Sequence, residues 1–120
     1  MSATVSRAVV RKGPSVQAVK IQVADLVLDP ASGQVSRMGT QLHLTRTQFA
    51  LLEYLMRRAG HILTREAIVE RIWSGNPEIE LNTLEVFIRS LRAKIDVGRQ
   101  QSLIKTVRGV GYRLDADGFQ

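Results

Sequence analysis

Between residues 21 and 44, apolar side chains recur at strand-like spacing. Ile21, Val23, Leu26 and Leu28 form a first strand, which Asp29-Pro30-Ala31-Ser32-Gly33 stops with turn-forming residues. Residues 34–38 and 41–44 follow as two more short strands around Gly39-Thr40. The pattern predicts a small antiparallel meander. After it, the period lengthens to that of a helix. Thr45 with Gln48 three places on makes a capping box, in which each side chain satisfies a backbone donor that a helix start leaves open. Phe49, Leu52, Leu55 and Met56 supply an apolar stripe, and Gly60 suits the residue just past the helix end. His61-Ile62-Leu63 reads as a brief extended link. Thr64 caps a second helix whose inner face is Ile68, Ile72 and part of Trp73, ending at Ser74-Gly75. Asn76-Pro77, Glu78 and Glu80 form a loop. A third helix then runs over 82–96, with Asn82 as its cap and Glu85 as the box partner.

Faces of the third helix follow from a rotation of roughly 100° per residue. Leu84, Ile88, Leu91 and Ile95 share one side with Phe87 at its edge, and that is the core face. Opposite lie Asn82, Val86, Arg89, Ser90 and Ala93. An ordinary surface helix carries many charges there, yet this face has one charge, two small residues and a valine. Small side chains allow close approach to another surface. Val86 suits thymine methyl groups in a major groove, while Asn82, Arg89 and Ser90 can bond base edges or phosphates. Packing Val86 and Ala93 inside the protein instead would need core on both sides of the helix, and a larger chain.

Residues 104–114 hold two β-prone halves around Gly109 and Gly111, the pattern of a tight hairpin. Lys105, Arg108, Tyr112 and Arg113 decorate it, with no acid before Asp115. Arg108 falls at or beside the tip, where it can enter the negative potential of a narrow minor groove. Lys105, Thr106 and Tyr112 lie on the arms, where an ammonium or hydroxyl can hold phosphates. Gly109-Val110-Gly111 lacks the third glycine and following helix of a dinucleotide loop, so the glycines are read as backbone geometry.

Charge supports this picture without establishing it. The 120 residues carry a formal net charge of +6, which favours an anionic partner. This length fits one domain with a modest core, and 44% apolar content excludes a mainly disordered chain. There are no cysteines, hence no disulfide or thiolate metal site. No apolar run reaches the length of a membrane span and no leader core is visible, so the expectation is a soluble, cytoplasmic, bacterial protein. His43 and His61 are far apart, and no paired-carboxylate or Ser/His/Asp set can be assembled. No enzyme activity, cofactor or metal is expected. Residues 1–19 are basic, with Arg7, Arg11 and Lys12 beside Gly13-Pro14-Ser15, and read as a linker or tail. The domain is placed at 20–115, and 116–120 is a tail.

With these residues in hand, the chain resembles the C-terminal effector domain of OmpR/PhoB-type bacterial response regulators. Residues 104–112 (Ile-Lys-Thr-Val-Arg-Gly-Val-Gly-Tyr) and Leu91-Arg92-Ala93-Lys94-Ile95 are its most specific markers. Supporting matches are Leu44-Thr45 through Phe49-Ala50-Leu51-Leu52, and Leu63-Thr64-Arg65-Glu66 before Ile72-Trp73. The resemblance implies an α+β winged helix-turn-helix with a four-stranded antiparallel N-terminal sheet, three helices and a C-terminal β-hairpin wing. It further implies sequence-specific binding of double-stranded DNA to control transcription, with the third helix in the major groove and Arg108 in the adjacent minor groove. Trp73, Thr83, Arg92, Thr106 and Tyr112 match positions that touch the sugar-phosphate backbone, and Val86 matches a base-reading position. The segment 74–81 matches a loop offered to RNA polymerase. Head-to-tail dimers on direct-repeat promoter sites are implied, with a monomer off DNA. Some members carry arginine where this chain has Ser90 and where it has Asn82, and histidine or tyrosine in place of Phe87. The binding mode is expected to carry over, the operator sequence not. Residues 7–13 resemble the end of a receiver domain's final helix, so the chain reads as a piece of a longer two-component regulator. The alternative is a free-standing winged helix that binds RNA or a protein partner.

Overall fold

A computed structural model describes residues 19–74, 81–96 and 102–115, apart from the side chains of Leu81 and Asn82. The linker expected over 1–18, the loop expected over 75–80 and the tail expected over 116–120 lie outside the described residues. Four strands, β1 (Ile21–Val23), β2 (Leu26–Asp29), β3 (Gln34–Arg37) and β4 (Thr40–Leu42), form an antiparallel sheet in that order. The expected first strand is thus two strands. Ala24 adopts φ +55° in a two-residue turn, and Val23 pairs back onto Leu26. That reversal carries no glycine or proline, which is why alternation alone reads straight through it. The turn between β3 and β4 is Met38-Gly39 rather than Gly39-Thr40. Both of its residues have positive φ, as a tight two-residue hairpin needs. At the end of β2, the Asp29 carboxylate accepts from Ala31 N–H at 3.0 Å, and its carbonyl accepts from Gly33 N–H at 2.8 Å. A hydrogen bond from the Ser32 side chain holds the Asp29 carboxyl below its ordinary pKa, helped by backbone N–H groups. The support it gives this turn is present at neutral pH and is lost as pH falls through the lowered value.

The three helices are α1 (Arg46–Arg57), α2 (Arg65–Ile72) and α3 (Leu81–Ile95). The capping box at Thr45 and Gln48 forms with both bonds present. α1 ends on Arg58 as cap, so Gly60 stands two residues beyond the cap, at φ +88°. α3 begins at Leu81. Asn82 is therefore inside its first turn and does not cap it, because the helix extends one residue further back than the polar Asn82 suggests.

A second sheet has three strands in the order β5–β7–β6, from β5 (Leu63–Thr64), β6 (Ile104–Val107) and β7 (Gly111–Leu114). The link read as merely extended is thus a strand that pairs Leu63 with Tyr112 and Thr64 with Gly111. Thr64 also caps α2, accepting from Ala67 N–H at 3.0 Å. One residue joins the wing sheet to the second helix. Thr64→Ala is expected to lower stability by about 1 kcal/mol, seen as an earlier urea midpoint with unchanged slope.

The core draws on every layer. Leu26, Leu28 and Val35 come from the first sheet, Leu51, Leu52, Leu55 and Met56 from α1, and Ile68 from α2. Leu84, Ile88, Leu91 and Ile95 come from α3, and Ile104, Tyr112 and Leu114 from the wing. Arg37, 6% exposed, lies within it. Its Nε donates to Asp25 at 2.8 Å, and its Nη1 to the Ile95 carbonyl and to Asp96. A cation is thereby placed against the negative C-terminal end of α3, anchoring that helix to the first sheet.

Candidate nucleic-acid interface

The outer face of α3 follows from its core face. With Leu84, Ile88, Leu91 and Ile95 all at most 1% exposed, the side opposite must face outward. Val86 is 54% exposed there, and Arg89 and Ala93 are exposed beside it. Among the described residues Val86 is one of the few large apolar side chains left exposed. Glu85 is the acid on this part of the helix, and Arg65 at the start of α2 pairs with it at 3.6 Å. Thr83 is half-buried nearby. Asn82 lies in the first turn of α3, and its side chain is outside the described residues.

Trp73 caps the C-terminal end of α2 and meets Phe87 edge-on, with ring centroids 5.0 Å apart. Both are half-buried. The contact packs α2 against the flank of α3 and leaves part of the indole open.

The wing is a tight hairpin as expected. Val110 N–H bonds the Val107 carbonyl at 2.9 Å, with Arg108 and Gly109 between them. Gly109 has φ +77°, the left-handed conformation that a turn of this kind demands at its third position. Arg108 is exposed at the tip, and so is Val110 beside it at 43%. Thr106 is exposed and Lys105 half-buried on β6. Arg113 is less available than its charge suggests, because it pairs with Asp115 at 2.9 Å.

Arg92 brings helix and wing together. Its Nε and Nη2 donate to the Ile104 carbonyl at 3.1 and 2.7 Å, and Nη2 also donates to Thr106 Oγ1 at 2.8 Å. Its guanidinium lies 5.9 Å from the centre of the Tyr112 ring. Of the residues expected on phosphates, Arg92, Thr106 and Tyr112 therefore form one cluster that clamps β6 and β7 to α3. Tyr112 is only 3% exposed, so its main work is packing.

Ser90, expected to face outward, is half-buried and already bonded. It accepts from Gln48 Nε2 at 3.0 Å and donates to the Phe87 carbonyl at 2.9 Å. Gln48 and Lys94 are the residues near this face that sequence reasoning did not place. The capping box accounts for Gln48 Oε1, but its amide nitrogen finds a partner 42 residues away, which no local pattern signals. No group of three or more His, Asp or Glu able to hold a metal occurs among the described residues. Among them no helix is long and apolar enough to cross a membrane.

Residues 39–114 match the family model described as "Transcriptional regulatory protein, C terminal". The chain is 41% identical over 115 residues to the transcriptional regulatory protein CusR of Escherichia coli K12, covering 95% of this chain and 51% of CusR. It thus spans about half the length of that relative. Among solved structures, the Thermotoga maritima response regulator DrrB, an OmpR/PhoB homolog, superposes with a TM-score of 0.73 at 29% identity, over 80% of this chain and 44% of that chain. The DNA-binding domain of Klebsiella pneumoniae RstA, solved in complex with the RstA box, gives 0.69 at 28% identity, over 81% of this chain and 97% of that domain.

Proposed function

This chain belongs to the C-terminal transcriptional regulatory family of OmpR/PhoB-type response regulators, and from that premise we propose how it reads DNA. The observation that carries the reading is one surface: the open, nearly uncharged outer face of α3, tied through Arg92 to a hairpin with an exposed arginine at its tip. α3 lies in the major groove of a duplex. Val86 meets thymine methyl groups, and Asn82, Arg89 and Ser90 face base edges. Trp73, Thr83, Lys105 and Thr106 line the sugar-phosphate backbone and set the register. Arg92 and Tyr112 hold the wing at the angle that sends Arg108 into the neighbouring minor groove.

Selection from a random pool of duplexes tests this. Enrichment of a defined sequence is expected, and a pool that stays random through repeated rounds would contradict it. Arg108→Ala should weaken binding of the selected duplex by about 1–2 kcal/mol while the melting temperature stays nearly unchanged. An unchanged dissociation constant at low salt would place the wing outside the groove.

The rest of the reading concerns the longer protein. A phosphate-accepting receiver domain precedes this one in a cytoplasmic two-component regulator, and phosphorelay signalling controls the DNA-bound state. The domain is monomeric off DNA and binds direct-repeat promoter sites as head-to-tail pairs. Residues 74–81 are offered to RNA polymerase. It acts by binding and carries out no catalysis.

A further inference from the structure

Ser90 sits one turn beyond Val86 on α3, and its hydrogen bonds decide what kind of base it can accept. Gln48, only 5% exposed, lies behind it. Gln48 Oε1 receives the Thr45 backbone N–H at 2.9 Å and the Lys94 ammonium at 2.8 Å. Both of those groups can only donate, so the amide oxygen must face them and the amide nitrogen must face away. Lys94 is held in turn by the His43 carbonyl at 2.8 Å, which steadies the arrangement from its far side. Gln48 Nε2 then points at Ser90 Oγ as a donor, at 3.0 Å, and occupies one of its two lone pairs. The single hydroxyl proton of Ser90 goes to the Phe87 carbonyl at 2.9 Å. What Ser90 has left is one lone pair.

We propose that Ser90 reads DNA as a hydrogen-bond acceptor and selects a base with an exocyclic amino group in the major groove, cytosine N4 or adenine N6. The inference rests on the DNA-reading assigned above and specifies its chemistry at one position. Guanine O6 and N7 and thymine O4 only accept. To meet them, Ser90 would have to turn its proton away from Phe87, whereas an amino group costs no existing bond. Gln48 and Lys94 are positioning residues in this scheme, because they fix the direction of the amide that holds Ser90.

The test uses the duplex selected by the wild-type domain. Each base pair is varied in turn against wild type and Ser90→Ala, with melting temperatures confirming that both are folded. At the position where Ser90→Ala flattens the base preference, adenine is replaced by purine, or cytosine by 2-pyrimidinone, which removes only the amino group. The wild type should lose about three- to tenfold in affinity and Ser90→Ala nothing, as expected for one hydrogen bond. Amino removal that is harmless at that position, or a preference there for guanine through its O6 and N7, overturns the proposal. So does a Ser90→Ala profile identical to wild type. In each of these cases wild-type selectivity persists, so sequence-specific duplex binding through α3 and the wing stands, without Ser90 as an acceptor. A wild type with no preference at any position overturns both.

Discussion

Gly111→Ala should destabilise the domain by about 3 kcal/mol, at the upper end of what overpacking costs. β5 and β7 approach so closely that a Cβ at Gly111 would stand 1.9 Å from the Leu63 carbonyl oxygen and 2.8 Å from Thr64 Cα. Those neighbours are backbone atoms paired into the sheet, so neither can swing aside as a side chain would. Relief requires parting β5 from β7. That also disturbs Thr64, which caps α2, and the Tyr112 ring under Arg92. A melting temperature lower by about 10 °C or more is expected. Gly109→Ala is the control, because a Cβ there meets nothing within 4 Å and only the φ of +77° is strained. It should cost about 1–2 kcal/mol. Equal effects of the two substitutions would show that the close approach at Gly111 does not govern this sheet.

Val86→Glu should abolish specific DNA binding, by more than about a hundredfold, because a carboxylate set against base edges among phosphates is repelled and stripped of water without a partner. Val86 is more than half exposed in the free domain, so stability should stay within about 0.5 kcal/mol of the parent. Loss of binding with an intact melt separates the reading face from the core. Unimpaired binding would move the reading face off α3.

How much of this was legible in the sequence depends on how far apart the interacting residues lie. The core face of α3 is a repeat within one helix, so Leu84, Ile88, Leu91 and Ile95 could be assigned from spacing and are all buried. The hairpin and the capping box at Thr45 are equally local, each spanning a few residues. The break between β1 and β2 was not legible, since Ala24 adopts a positive φ without glycine or asparagine to announce it. Leu51 was missed on α1 because elements cover that helix on more than one side, whereas an amphipathic stripe allows for one. Arg37 follows Val35 on the inward side of β3, a sign that it is buried. Its partners at Ile95 and Asp96 lie 58 and 59 residues away. Likewise, spacing placed Ser90 on the outer face but could not reveal Gln48 behind it. Local pattern identified the surface, and long-range hydrogen bonds determine what each side chain on it has left to offer.

The account turns on sequence-specific duplex binding, and the most direct measurement is affinity for the selected duplex and for a scrambled one across a series of salt concentrations. Both should weaken steeply as salt rises, since the phosphate contacts release counterions. The selected duplex should remain at least about tenfold tighter throughout, because base contacts persist when phosphate attraction is screened. Equal affinity for the two duplexes at every salt concentration would contradict the account.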